Sequence, residues 1–244
     1  MKTIRWKKQP FELKILDNEL HLWLVKLKIS PQEIAQLTDT LSVDEITRAN
    51  RFKFEEHRNR FIAARGYLRQ ILSSYLQKPS RKITFEYSDR GKPKLHNTSL
   101  QFNVSHSQDI ALYGLTNNYL IGIDIEYLRS NVECNKIAER FFNERESQII
   151  NNLSKDKQAQ TFFHLWTIKE AYLKATGEGL GGGLETVEIE FNSNLEAKVV
   201  AIANNEAKTN NWFFDSFIPH NNFVATVAVN IERSIPDIKY FALN

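Results

Sequence analysis

A single cysteine stands in the whole chain, so Cys134 has no intrachain disulfide partner and a cysteine-built metal site is not available. That absence fits a reducing, cytoplasmic compartment. No apolar run approaches the roughly 18 residues that read as a membrane span, and the start, Met1 to Pro10, is basic, broken by Gln9-Pro10 and followed by no apolar run. Neither a membrane segment nor a secretory signal is expected. Glycine is sparse, at nine residues, and five of the nine crowd between Gly177 and Gly183. Gly177, Gly179 and Gly182 have the Gly-x-Gly-x-x-Gly spacing, but they close a helical pattern and precede a strand, the reverse of a dinucleotide fingerprint. Gly177 reads instead as a helix C-cap and the others as a flexible connection. A Gly-x-Ser-x-Gly nucleophile elbow, an RNP-type aromatic strand and a zinc-finger spacing are also missing.

What is present is a chain that folds: 244 residues, 42% hydrophobic and 25% charged, enough at roughly 150 residues per domain for one large domain or two small ones packed together. Its net charge of +3 hides an uneven distribution. Ser42 to His96 carries 13 Lys/Arg against 6 Asp/Glu, a local +7 that leaves −4 for the rest. Such a concentration points to a polyanionic partner, whether nucleic acid, an anionic membrane or a phosphorylated small molecule.

Ser30-Pro31 is an N-cap followed by proline at the first helical position, predicting a short helix to about Leu41. Ser42 and Glu45 have capping-box spacing and start another. Phe54, Phe61, Leu68, Ile71, Leu72 and Tyr75 recur at helical spacing up to about Gln77, with Arg58, Arg65 and Arg69 on a parallel stripe. After Pro79 come short strand-like runs at 83–87, 100–104, 110–115 and 119–126, then helical stretches at 135–153 and 156–176, then strands near 186–191, 198–203, 212–218 and 223–231. Helices followed by strands occur twice, although no literal repeat is visible. The pattern predicts two α+β halves, 1–117 and 118–244, with no low-complexity linker and a tight interface.

Several short constellations carry chemistry. In Gly122-Ile123-Asp124-Ile125-Glu126, a strand places Asp124 and Glu126 on one face and the isoleucines on the other. Two carboxylates on a rigid face make half a site for a hard cation, though a solvated acidic face has the same pattern. Glu170 and Lys174 lie four apart on a helix, where they make either a surface ion pair or a positioned carboxylate and lysine. Trp166, one turn earlier, reads as a core anchor. Ser105 and His106, within Asn103-Val104-Ser105-His106-Ser107 at a strand end, read as donors to phosphate oxygens. In Arg90-Gly91-Lys92-Pro93 the turn presents Lys92 as a fixed point charge.

In order and spacing, Arg48-Ala49-Asn50-Arg51-Phe52, Arg-Gly-Lys-Pro, Phe-Asn-Val-Ser-His-Ser, Gly-Ile-Asp-Ile-Glu and Phe-Phe-x-x-Trp-x-x-Lys-Glu-Ala-x-x-Lys resemble the 4′-phosphopantetheinyl transferases of the Sfp type, from about Ser42 to Leu184. The resemblance implies a monomer of two similar, pseudo-twofold α+β halves with coenzyme A and Mg²⁺ in the cleft between them. It implies transfer of the phosphopantetheine arm to a serine of an apo acyl carrier protein or of a carrier domain in polyketide or peptide synthases, with release of adenosine 3′,5′-bisphosphate. Carried over by motif, Asp124, Glu126 and Glu170 would hold Mg²⁺. Glu170, Lys174 and His106 would act in catalysis, Glu170 as base, ligand or both. Arg48 and Arg51 would meet the 3′-phosphate, and Lys92, Ser105, His106 and Lys174 the 3′-phosphate or the diphosphate. Glu45 departs from some relatives, which carry lysine ahead of the first arginine, so anchoring of the 3′-phosphate would rest more heavily on Arg48 and Arg51. Carriers are acidic helical bundles, so the Arg58, Arg65 and Arg69 flank is a candidate for steering them, and Leu128 to Ala138 for apolar contact. The rival from another class is a nucleic-acid-binding module built on 42–96.

Overall fold

The computed structural model describes all residues except 11, 130, 180–182, 193–196, 204, 232–233 and 244, and the side chains of 156 and 207. Gly181 and Gly182, part of the glycine-rich connection, lie outside the described residues. The first half contains β1 (Lys2–Thr3), β2 (Lys7–Lys8), β3 (Glu19–Lys26), α1 (Pro31–Thr38), α2 (Val43–Ala49), α3 (Glu55–Leu76), β4 (Phe85–Tyr87), β5 (Pro93–Leu95), β6 (Leu100–Ser107) and β7 (Ile110–Asn117). The second contains β8 (Ile121–Tyr127), α4 (Cys134–Phe141), α5 (Glu144–Asn151), α6 (Lys155–Thr176), β9 (Val187–Phe191), β10 (Ala197–Ile202), β11 (Trp212–Ile218), β12 (Phe223–Asn230) and β13 (Asp237–Ala242).

From β3 to β7 and from β8 to β12 the order is the same: a strand, two short helices, a 22-residue helix, a two-stranded hairpin and two antiparallel strands. The sheets match too, with β3-β7-β6 in one half and β8-β12-β11 in the other. This is the α+β pair of similar halves that the pattern predicts. The cut at 117/118 is not clean, because the termini cross it. β13 pairs in parallel with β3 of the first sheet, and β1 pairs in parallel with β11 of the second.

Each long helix covers one face of its own sheet, and the other faces of the two sheets meet. Trp23 and Val25 of β3 pack toward α3, whereas Leu20, Leu22 and Leu24 pack against Ile121, Ile123 and Ile125 of β8. β3 was not expected from the sequence: buried on both faces, it alternates only from Glu19 to Leu22 and then runs apolar from Leu22 to Val25.

Local chemistry explains the helix ends. Ser30 and Glu33 form a capping box, with Pro31 at the start of α1. Asn143 and Glu146 form another, which splits the single helix expected over 135–153 into α4 and α5. Gly177 ends α6 at φ 81°, its N–H donating to Leu173 O at 2.9 Å.

Candidate functional site

The site begins with a glycine. A Cβ on Gly122 would stand 1.9 Å from Ala171 O and 2.4 Å from Ala175 N, so α6 lies against β8 only because that position has no side chain. Asp124 and Glu126 share the face of Gly122, while Ile123 and Ile125 are wholly buried on the other. The acidic face is therefore not solvated: Asp124 is buried, and Glu126 half-buried. Lys174 reaches down from α6, its Nζ 2.6 Å from Asp124 Oδ1 and 2.9 Å from Ser105 Oγ. Glu170, one turn earlier, is buried and makes no ion pair with Lys174 among the described residues. Burial first, and then the charge of Asp124, push its carboxyl up to about 7 against the pull of Lys174, with Glu126 adding to the rise. Burial and Asp124 likewise raise Glu126. Asp124 Oδ2 and Glu170 Oε1 are buried without a hydrogen-bond partner.

The Asn-Val-Ser-His-Ser strand does more than present two donors. Its alternate side chains cover the open edge of β8: Ile123 N donates to Asn103 Oδ1 at 3.0 Å, Ile125 N to Ser105 Oγ at 3.3 Å, and Tyr127 N to Ser107 Oγ at 3.1 Å. The two hydroxyls then donate onward, Ser105 to Asp124 Oδ1 at 2.8 Å and Ser107 to Glu126 Oε2 at 3.0 Å. Side chains thus stitch the two sheets where backbone pairing stops. The Ser105 hydroxyl, expected from the sequence to meet phosphate, here bonds Asp124, Lys174 and the strand. His106 points from the other face of β6 and is exposed at its edge, yet desolvation, followed by the charges of Lys174 and Arg60, holds its pKa below the ordinary value.

Lys92 is also placed differently from the sequence expectation. Its ammonium donates to Ala175 O at 2.7 Å and Ile121 O at 3.2 Å, joining the hairpin of one half to α6 and β8 of the other, and burial lowers its pKa to about 8. A lysine spent on two carbonyls is a strut rather than a free charge. Arg48 and Arg51 are exposed and line a groove of about 1090 Å³ against α3, with the Arg48 guanidinium 5.3 Å from the Phe61 ring centre. The steering flank does not survive folding: Arg69 is 1% exposed and Arg65 15%, both bound to Glu45. Of the apolar stretch after β8, Cys134 and Ala138 are buried, and Leu128, Val132 and Ile137 pack onto the same core. Trp166 anchors α6 as expected, among Phe141, Phe142 and Phe162.

One functional pair was not singled out in the sequence. Lys169 and Glu146 are both fully buried, 2.9 Å apart, and Lys169 also donates to Leu184 O and Val187 O. The pair fixes the turn of α6 that carries Glu170. The signal was a lysine within the apolar run of α6 and an Asn-x-x-Glu capping box upstream.

No group of three or more His, Cys, Asp or Glu among the described residues is gathered as a metal cage. The donor set nevertheless fits a hard cation in kind, since it consists of carboxylate oxygens, two of them buried and unpartnered. The same chain thus carries buried carboxylates with a lysine against them and, separately, an arginine-lined groove. The comparisons with known proteins agree. The model of the 4′-phosphopantetheinyl transferase superfamily matches residues 120–228, and that of the 4′-phosphopantetheinyl transferase N-terminal region matches 26–114. The chain is 41% identical to the 4′-phosphopantetheinyl transferase HetI of Nostoc sp., over 92% of this chain and 93% of that protein. It is 33% identical to the 4′-phosphopantetheinyl transferase psf-1 of Bacillus pumilus, over 70% and 72%. It is 27% identical to Sfp of Bacillus subtilis, over 70% and 75%. The chain belongs to the 4′-phosphopantetheinyl transferases, of the Sfp type. The nucleic-acid-binding alternative finds no support in these matches.

Proposed function

We propose that this enzyme transfers the 4′-phosphopantetheine group of coenzyme A to a serine hydroxyl of an apo acyl or peptidyl carrier, releasing adenosine 3′,5′-bisphosphate. The observation that carries the reading is the buried pair of unpartnered oxygens, Asp124 Oδ2 and Glu170 Oε1, beside Lys174. Such oxygens are costly to bury unless a cation meets them. Asp124, Glu126 and Glu170 would hold Mg²⁺, which when bound supplies charge neutralisation for the diphosphate. Lys174 would offer its one remaining ammonium hydrogen to the diphosphate oxygens, and His106 a ring N–H to the 3′-phosphate or the diphosphate. Glu170 would also accept the serine proton as the hydroxyl attacks the phosphorus that bears pantetheine. Arg48 and Arg51 grip the 3′-phosphate. One chain supplies both halves of the site, which fits the monomer that the resemblance implies.

Mass spectrometry of apo carriers incubated with the protein, coenzyme A and Mg²⁺ tests this. A phosphopantetheine mass increment is expected with the wild type, and its loss with chelator or in folded Asp124→Ala and Glu170→Gln. No increment on any of several acyl and peptidyl carriers would overturn the reading.

A further inference from the structure

The flank of α6 turned away from Glu170 carries a stripe that the site described above does not use. Lys157, Thr161, His164 and Ile168 recur at helical spacing on one face. That is the spacing of a core stripe, yet only Ile168 is apolar. In α3, also 22 residues long, the same places hold His57, Phe61, Ala64 and Leu68, and the last three pack into the core of the first half. In α6 the stripe borders a cavity of about 820 Å³ instead. Trp212, Phe214 and Ser216 of β11 line its far side. Alternation along the strand sends these three to one face, while Asp215 and Phe217 turn to the other, to Lys2 and to the core between the sheets.

Burial deepens along the stripe. Lys157 is exposed, Thr161 and His164 are each 9% exposed, and Ile168 is 3% exposed. Lys198 of β10 stands at the same open mouth. Neither lysine makes an ion pair among the described residues, and Glu190, opposite Lys198 in the hairpin, is taken by Arg145 at 2.7 Å. No Asp or Glu among the described residues lines the cavity. Deeper in, the His164 ring and the Thr161 hydroxyl have no hydrogen-bond partner among the described residues. Polar side chains at such depth are normally paired, so an open imidazole there points to a ligand group that meets it. Burial lowers the pKa of His164 to about 4, which leaves the ring uncharged near neutral pH, with one N–H to donate. Trp212 and Phe214 are half-buried, with ring centres 6.4 Å apart and planes 34° apart, and make an aromatic wall.

We propose that this cavity is a second ligand site, for a flat organic anion. Its aromatic body lies against Trp212 and Phe214, and its acidic group is held by the His164 N–H and the Thr161 hydroxyl and drawn in by Lys157 and Lys198. Glu170 and Lys174 leave α6 on other sides, so the site is separate from the carboxylates and does not depend on the transferase reading.

Calorimetric titration of the full-length protein with 2-naphthoate, its uncharged amide and acetate tests it. 2-Naphthoate is expected to bind at one site, its amide about tenfold more weakly for want of the charge-assisted bond, and acetate not measurably. His164→Leu is expected to lose about tenfold in affinity for 2-naphthoate, and the double variant Lys157→Glu, Lys198→Glu about fivefold. The double variant, confined to exposed positions, decides the matter if His164→Leu does not fold, and it is expected to form holo-carrier at the wild-type rate. No saturable binding of 2-naphthoate, equal affinity for its amide, or an affinity unaltered in the folded variants overturns the proposal. Loss of holo-carrier formation in the folded double variant overturns the separation of this site from the catalytic one.

Discussion

Lys169 and Glu170 are neighbours in sequence with opposite fates. Lys169 is wholly enclosed and fully bonded, and Glu170 is enclosed with one oxygen left over. The first keeps the second in place. Lys169→Met is expected to cost about 3–5 kcal/mol in urea denaturation, because it strands the buried Glu146 charge. The double variant Lys169→Met, Glu146→Gln is expected to recover much of that loss, and equal losses in single and double variants would rule out the pair as the cause. Residue types and spacing single out the carboxylates, Lys174, His106, Ser105 and Lys92, but they do not show the partners that Ser105 and Lys92 find, Asp124 and the carbonyls of Ile121 and Ala175, because those come from distant strands and helices.

Among the elements, α6 and β8 matter most, and their contact depends on the absence of one side chain. Gly122→Ala would place a methyl inside the van der Waals radius of Ala171 O and Ala175 N, so the helix must lift from the strand. The expected outcome is a variant that is insoluble or has a strongly lowered Tm, and that yields no holo-carrier even where soluble. A wild-type Tm in Gly122→Ala would show that the approach is not tight in solution. Two helix starts were legible because caps are local: Ser30 and Ser42 each lie three residues from their capping glutamate, whereas the equally local Asn143–Glu146 box falls inside the single helix expected over 135–153. The ladder of Asn103, Ser105 and Ser107 onto β8 was not, since its acceptors face backbone donors about twenty residues away.

On the scale of the whole molecule the halves are bound by exchange as well as by packing. β13, from the end of the described chain, fills the edge of β3, and its Phe241 packs on Trp23 at 4.9 Å between ring centres. Removing residues 237–244 would leave that edge open and uncover the aromatic core of the first half. Aggregation, or a single cooperative transition at a much lower Tm by circular dichroism, is expected. Loss confined to the second half would mean that β13 does not serve the first. The +7 segment changes meaning at this scale. Arg60 pairs with Asp109, Arg65 and Arg69 with Glu45, and Lys92 with two carbonyls, so much of the charge is internal wiring rather than a basic surface stripe.

The sequence by itself determined the two-half α+β pattern, which depends on period and capping that operate within a few residues, and its motifs carry the resemblance that points to the family and to the carboxylates proposed to hold metal. Only the tertiary structure decided which charges are free to meet a ligand. A charge at the surface and a charge locked inside look alike in a sequence, and burial against a partner from another element, as with Glu45, Arg69, Lys92 and Lys169, is what separates them. That separation leaves Arg48 and Arg51 exposed along the groove, and Asp124 Oδ2 and Glu170 Oε1 buried without a hydrogen-bond partner.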